Sequence, residues 1–108
     1  MRKTNITISV ELDENHIPEK ITWNAEDGGV KDNETKATMI SVWDDKTMEA
    51  LRIDLWTKDM PVDHMKRFFH QIFISLGQTY QRATGEDDVA EWIEQMAEEF
   101  ADKSAIKM

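Results

Sequence analysis

The chain has 108 residues, no cysteine, 40% hydrophobic and 32% charged residues, and a formal charge of −9. That length holds one domain of about 100–150 residues, and the missing cysteine excludes disulfides, thiol nucleophiles, iron–sulfur clusters and cysteine zinc sites. The acid is uneven, with eight acids against two bases from Glu86 onward (−6) and −3 over residues 1–85. No part of it offers the basic surface that nucleic acid or an anionic membrane requires.

Ile6, Ile8, Val10 and Leu12 are apolar at period two, with Thr7, Ser9 and Glu11 between them, the pattern of a half-buried strand. The same alternation argues against a signal peptide, which needs an apolar block and a small-residue cleavage site. No apolar run approaches the ~20 residues that cross a bilayer. The expected location is therefore cytoplasmic. Asp13-Glu14-Asn15-His16 is turn chemistry, and Pro18 argues against a central strand position there. Ile21 and Trp23 predict a second, short strand. Asn24 to Asn33, with Gly28-Gly29 and many acids, reads as a loop. No helix start follows the glycines, so they are a backbone device and not a phosphate cradle.

Thr35 to Trp43 predicts a third strand with two fairly apolar faces, Thr38, Ile40 and Val42 on one and Ala37, Met39, Ser41 and Trp43 on the other. Asp44 to Thr47 is a tight turn. The fourth strand, Met48 to Trp56, is expected to bury Leu51, Ile53 and Leu55 and to turn Arg52, Asp54 and Trp56 the other way. Pro61 fits the first position of a helix. Met65, Phe68, Phe69, Ile72, Phe73, Leu76 and Tyr80 fall in one arc of roughly 140° on that helix, and Gly85 ends it. Ile74 lies off this arc, among Arg67, His70, Gln78 and Gln81. A second helix is expected from about Asp87 to Ala105. Its apolar stripe is Val89, Trp92, Ile93, Met96, Ala97 and Phe100, which makes Trp92 a core residue. Glu91, Glu94, Glu98 and Asp102 form its opposite face.

The order ββββαα predicts an α+β fold: a four-stranded antiparallel meander with two C-terminal amphipathic helices packed on one face. One domain spans 1–108, with the sheet in 1–57 and a helical hairpin in 60–105. Met39, Trp43 and Trp56 then remain on the helix-free sheet face, and an apolar patch of that kind marks an interface. These three, with Ile74 as an outlying contact, are the candidate partner and oligomer residues. The expected assembly is a homodimer or higher homo-oligomer.

Nothing in the chain announces catalysis. His64 and His70, six apart, lie about 120° apart on a helix, whereas zinc pairs want i,i+3 or i,i+4. The serines sit in no nucleophile-elbow context. The carboxylate pairs occupy turns and helix starts that demand them anyway. No catalytic, cofactor-binding or metal residue is expected, and the protein is read as a non-enzyme without cofactor.

One ordered series of segments resembles a known family. Leu51-Arg52-Ile53-Asp54-Leu55-Trp56-Thr57-Lys58-Asp59-Met60-Pro61-Val62-Asp63, running on to Phe69, is similar to the gliding motility-associated protein GldC family. So are Leu12 to Ile21 with Trp23, Asp27-Gly28-Gly29, Ser41-Val42-Trp43-Asp44, Tyr80 to Thr84, and Ala97-Glu98-Glu99-Phe100-Ala101. The resemblance implies a small cytoplasmic accessory protein of bacterial gliding, binding protein partners of the gliding and secretion machinery, without enzymatic activity. A second resemblance is topological only: an acidic ββββαα subunit is similar to SecB-type export chaperones, which implies a holdase for secreted or membrane components as the alternative.

Overall fold

The computed structural model describes residues 1–106. The chain divides into two compact units, residues 1–60 and residues 61 onward. The first holds five strands: β1 (Ile6–Leu12), β2 (Pro18–Ala25), β3 (Val30–Thr35), β4 (Ala37–Asp44) and β5 (Glu49–Trp56). The second holds two helices, α1 (Val62–Thr84) and α2 (Asp87–Lys103). The class is α+β, but the four-stranded meander is corrected. All pairings are antiparallel, and the strands form two sheets, ordered β1-β2-β3 and β4-β5.

The extra strand lies in the segment expected to be a loop. β3 is Val-Lys-Asp-Asn-Glu-Thr, four consecutive exposed polar residues between half-buried Val30 and Thr35. It has no apolar alternation, so periodicity does not reveal it. Backbone pairing to β2 holds it in place, from Ile21 opposite Thr35 to Ala25 opposite Val30. The turn before it depends on Gly29 at φ 70°, a conformation that costs glycine little. Asp32 also has positive φ, 48°, and its N–H donates to Asn24 Oδ1 at 2.8 Å.

A single residue, Lys36, separates β3 from β4. One run of chain therefore pairs first with β2 and then with β5, and this divides the expected meander into two sheets. The Lys36 carbonyl accepts the Thr57 N–H at 2.8 Å, so the corner is tied to the end of β5. β2 is longer than the expected Ile21–Trp23 and is the central strand of its sheet. Pro18 is its first residue, where a missing N–H is tolerated. Ile21, on the same strand, is fully buried.

In the helical unit, Pro61 is the N-cap residue, one position earlier than expected, with φ −68° and ψ 145°. Gly85 ends α1 at φ 73°, its N–H donating to the Gln81 carbonyl at 2.8 Å. The two helices meet along Phe69, Phe73 and Gly77 of α1 and Ala90, Ile93, Ala97 and Phe100 of α2. Phe69, Phe73 and Phe100 form one cluster, with centroids 5.1–6.4 Å apart. A Cβ added at Gly77 would sit 3.2 Å from the Ala90 carbonyl oxygen, so the two backbones approach closely there. Lys66 Nζ donates to the Ser104 carbonyl at 2.7 Å, just beyond the end of α2, where a cation is favourable.

This seam corrects the expected stripes. Trp92 is 62% exposed, and Val89 and Leu76 are exposed as well. The buried α2 positions are Ala90 and Ala97. Small residues let helices come close, and a hydropathy stripe weighted toward large side chains points to one side of them.

Candidate protein-interaction surface

The β4–β5 hairpin is built by an uninterrupted register from Ala37 opposite Trp56 to Asp44 opposite Glu49. Its turn is closed by the Met48 N–H donating to the Asp44 carbonyl at 2.8 Å and by the Lys46 N–H donating to Asp44 Oδ1 at 3.0 Å. Opposed residues in an antiparallel pair share a face. One face therefore carries Thr38, Ile40 and Val42 with Leu51, Ile53 and Leu55. The other carries Met39, Ser41 and Trp43 with Arg52, Asp54 and Trp56. Three of the four residues singled out from the sequence, Met39, Trp43 and Trp56, thus share a face. Ile74 lies on α1 and is half-buried.

Trp43 is 60% and Trp56 54% exposed, and Met39 is half-buried. The opposite face was expected to be covered. It is open too, with Ile53 and Val42 each 56% and Leu51 49% exposed. A two-stranded sheet has no interior strand, and a hairpin alone is marginal in water. Arg52 and Asp54 form an ion pair of 3.2 Å along β5, the only charges between Ala50 and Trp56.

Where β5 ends, polar groups converge. Lys58 Nζ lies 3.0 Å from Asp13 Oδ2 and 3.1 Å from Glu19 Oε1. The Lys58 N–H donates to the Pro18 carbonyl at 3.2 Å. Asp13 Oδ1 also accepts the N–H groups of Asn15 and Ile17 at 2.8 and 3.0 Å. The backbone bond from Ile17, followed by Lys58, holds the Asp13 carboxyl below the usual carboxylate value. The same two carboxylates hold Lys58 above its ordinary value. Beside this clasp, Thr57 is buried and donates its hydroxyl to Asp59 Oδ1 at 2.6 Å. That bond, with Lys36 at 3.2 Å, lowers Asp59. The clasp joins two segments that stand 45 residues apart in sequence. Sequence reasoning finds the Asp13 turn but not its partner, because no local spacing links the two.

His16 is on the β1–β2 turn at φ 62°, and His64 is exposed in the first turn of α1. An open groove of roughly 670 Å³ on the helical hairpin is lined by Gln78, Gln81, Arg82, Asp87, Glu91 and Glu94. Its polar lining is three carboxylates, two amides and one guanidinium. Among the described residues, no three of His, Cys, Asp and Glu are placed to hold a metal ion, and no helix is long and apolar enough to cross a membrane.

Residues 18–106 match the family of gliding motility-associated proteins described as GldC-like. The chain belongs to that family. The GldC-like match takes in all of β2 through α2, including the open hairpin and Lys58, and begins after Asp13. No curated protein and no solved structure matched the chain.

Proposed function

We propose that this chain is a non-enzymatic, cytoplasmic accessory protein of bacterial gliding motility that acts by binding other proteins through the β4–β5 hairpin. Membership of the GldC-like family ties it to gliding motility. The observation that carries the binding role is the hairpin itself, with Trp43 and Trp56 open on one face and Val42, Leu51 and Ile53 on the other. Exposed aromatic and aliphatic side chains of this kind anchor protein interfaces. The partners are proteins of the gliding and secretion machinery.

The test is genetic. A chromosomal Trp43→Glu, Trp56→Glu double variant in the native gliding cell should lose surface spreading while the protein stays at its normal level. Undiminished spreading, in that strain and in a full deletion, would refute the reading. A holdase for exported components is the second reading, supported by the same open faces. It requires saturable binding of unrelated unfolded chains and suppression of their aggregation at stoichiometric ratios.

A further inference from the structure

The outer edges of β4 and β5, the two strands of one sheet, differ from those of β1 and β3. Strand edges invite pairing, and proteins blunt them with charges, proline, bulges or twist. β3 is blunted in this way, with Lys31, Asp32 and Glu34 along it, positive φ at Asp32 and a register shift in its pairing. β1 has a register shift at Glu11/Leu12, and no opposite charges on it would fix a pairing register. β4 and β5 have no proline, no glycine and no irregularity in their shared ladder, and residues 49–54 of β5 are all exposed. What sets β5 apart is a pair of opposite charges, Arg52 and Asp54, that can fix a pairing register. Its free stretch ends at Trp56, because on that side the next N–H, of Lys58, is taken by the Pro18 carbonyl of β2.

The sequence of β5 is also complementary to itself about Ile53. Written outward, Arg52 is balanced by Asp54, Leu51 by Leu55, and Ala50 by Trp56. We propose that β5 pairs antiparallel with β5 of a second copy across a twofold axis at Ile53, giving a continuous four-stranded sheet β4-β5-β5-β4. In that register Ile53 faces Ile53, Leu51 faces Leu55, and Arg52 of each copy faces Asp54 of the other. The two Arg52–Asp54 ion pairs become one alternating square of four charges. The rows continue into β4 with matching chemistry. Ile40 and Ile53 of one copy align with Ile53 and Ile40 of the other. Trp43 and Ala50 align with Trp56 and Ala37, so each large ring lies beside a small residue.

The charges select this register and this partner. Sliding the strands by two residues centres the axis on residue 52 or 54, and then Arg52 meets Arg52 or Asp54 meets Asp54. Like charges directly opposite are destabilising. A slide by one residue would bring the Leu-Ile face of one copy against the Trp-Arg-Asp face of the other. The chain as a whole carries −9, but Ala50 to Trp56 is neutral, so two copies meet here without the repulsion that the rest of the surface imposes. Isologous contacts of this kind are the usual way homo-oligomers assemble. Pairing consumes the edge and leaves the faces of the sheet free, so this assembly and the binding role proposed above stand or fall separately.

The chain has no cysteine, which makes a single introduced thiol an unambiguous probe. Opposed residues in an antiparallel pair have Cα atoms about 4.5–5.5 Å apart, within disulfide range. Ile53→Cys should form a covalent dimer on mild oxidation. Leu51→Cys or Leu55→Cys alone should not, since like positions lie about 13 Å apart along the ladder, but an equimolar mixture of the two should cross-link. Arg52→Asp should weaken dimerisation by roughly tenfold or more, and Arg52→Asp with Asp54→Arg should restore it, with circular dichroism confirming the fold in each case. Wild type that is monomeric by light scattering at 100 micromolar, on the order of a weak complex's Kd, would overturn the proposal. So would a dimer that the Ile53→Cys variant fails to cross-link, or an Arg52→Asp variant that dimerises like wild type.

Discussion

Asp13 combines two roles in one carboxylate. It caps its own turn through the N–H groups of Asn15 and Ile17, and it holds Lys58 across the unit. Its pKa is lowered in the folded state, so the stabilisation is complete above the ordinary carboxylate value, about 3.9, and is lost as pH falls through the lowered value. Asp13→Asn should therefore melt below wild type at pH 7, and the difference should shrink as pH falls through the lowered value. Thermal melts across that range check this, and parallel curves at all pH values would contradict it. Lys58 works in the opposite sense. Its raised pKa keeps its contribution intact through neutral pH, with loss only as pH rises through that raised value.

At the scale of elements, the helical hairpin is governed by its smallest residues. Gly77 is buried in the middle of α1, where glycine costs about 1 kcal/mol of helix propensity relative to alanine. The seam offsets that cost through the close approach to Ala90. A Cβ at 77 would meet Glu94 Cγ at 2.9 Å and the Ala90 carbonyl oxygen at 3.2 Å. The glutamate stem can swing away, but the backbone oxygen moves only if the helices part. Gly77→Val should destabilise by about 1–3 kcal/mol through overpacking, read as a lower urea midpoint. Gln78→Ala, one residue away on an exposed position, is the control and should change little.

Across the whole molecule, the charge is far from zero and concentrated on one helix. Glu94 and Glu98, and Glu98 and Asp102, stand at i,i+4 on α2, where like charges repel. The described ion pairs lie in the strand unit, and apart from the Asp13–Lys58 pair both partners are solvent-exposed, where such pairs contribute little each. Screening should therefore relieve more repulsion than it removes attraction. The melting temperature at pH 7 should rise between 10 mM and 500 mM sodium chloride. A fall over the same range would show that the ion pairs dominate.

Local chemistry by itself determined the strand and helix order at both ends, the turns at Asp13 and Asp44, the stop at Gly85, and the grouping of Met39, Trp43 and Trp56 on one face. Each of these depends on a period of two or 3.6 residues, or on the backbone freedom of one residue, and is written within a few positions of itself. β3 was hidden because its strand state comes from pairing with β2 and not from its own polar residues. The division into two sheets at Lys36 was hidden for the same reason: a corner is defined by which strands pair on either side of it. Trp92 reads as core because the stripe places large apolar residues there, whereas the helices pack where Gly77, Ala90 and Ala97 let their backbones meet. The Asp13–Lys58 clasp joins charges 45 residues apart, and only the folded chain brings them within hydrogen-bonding distance.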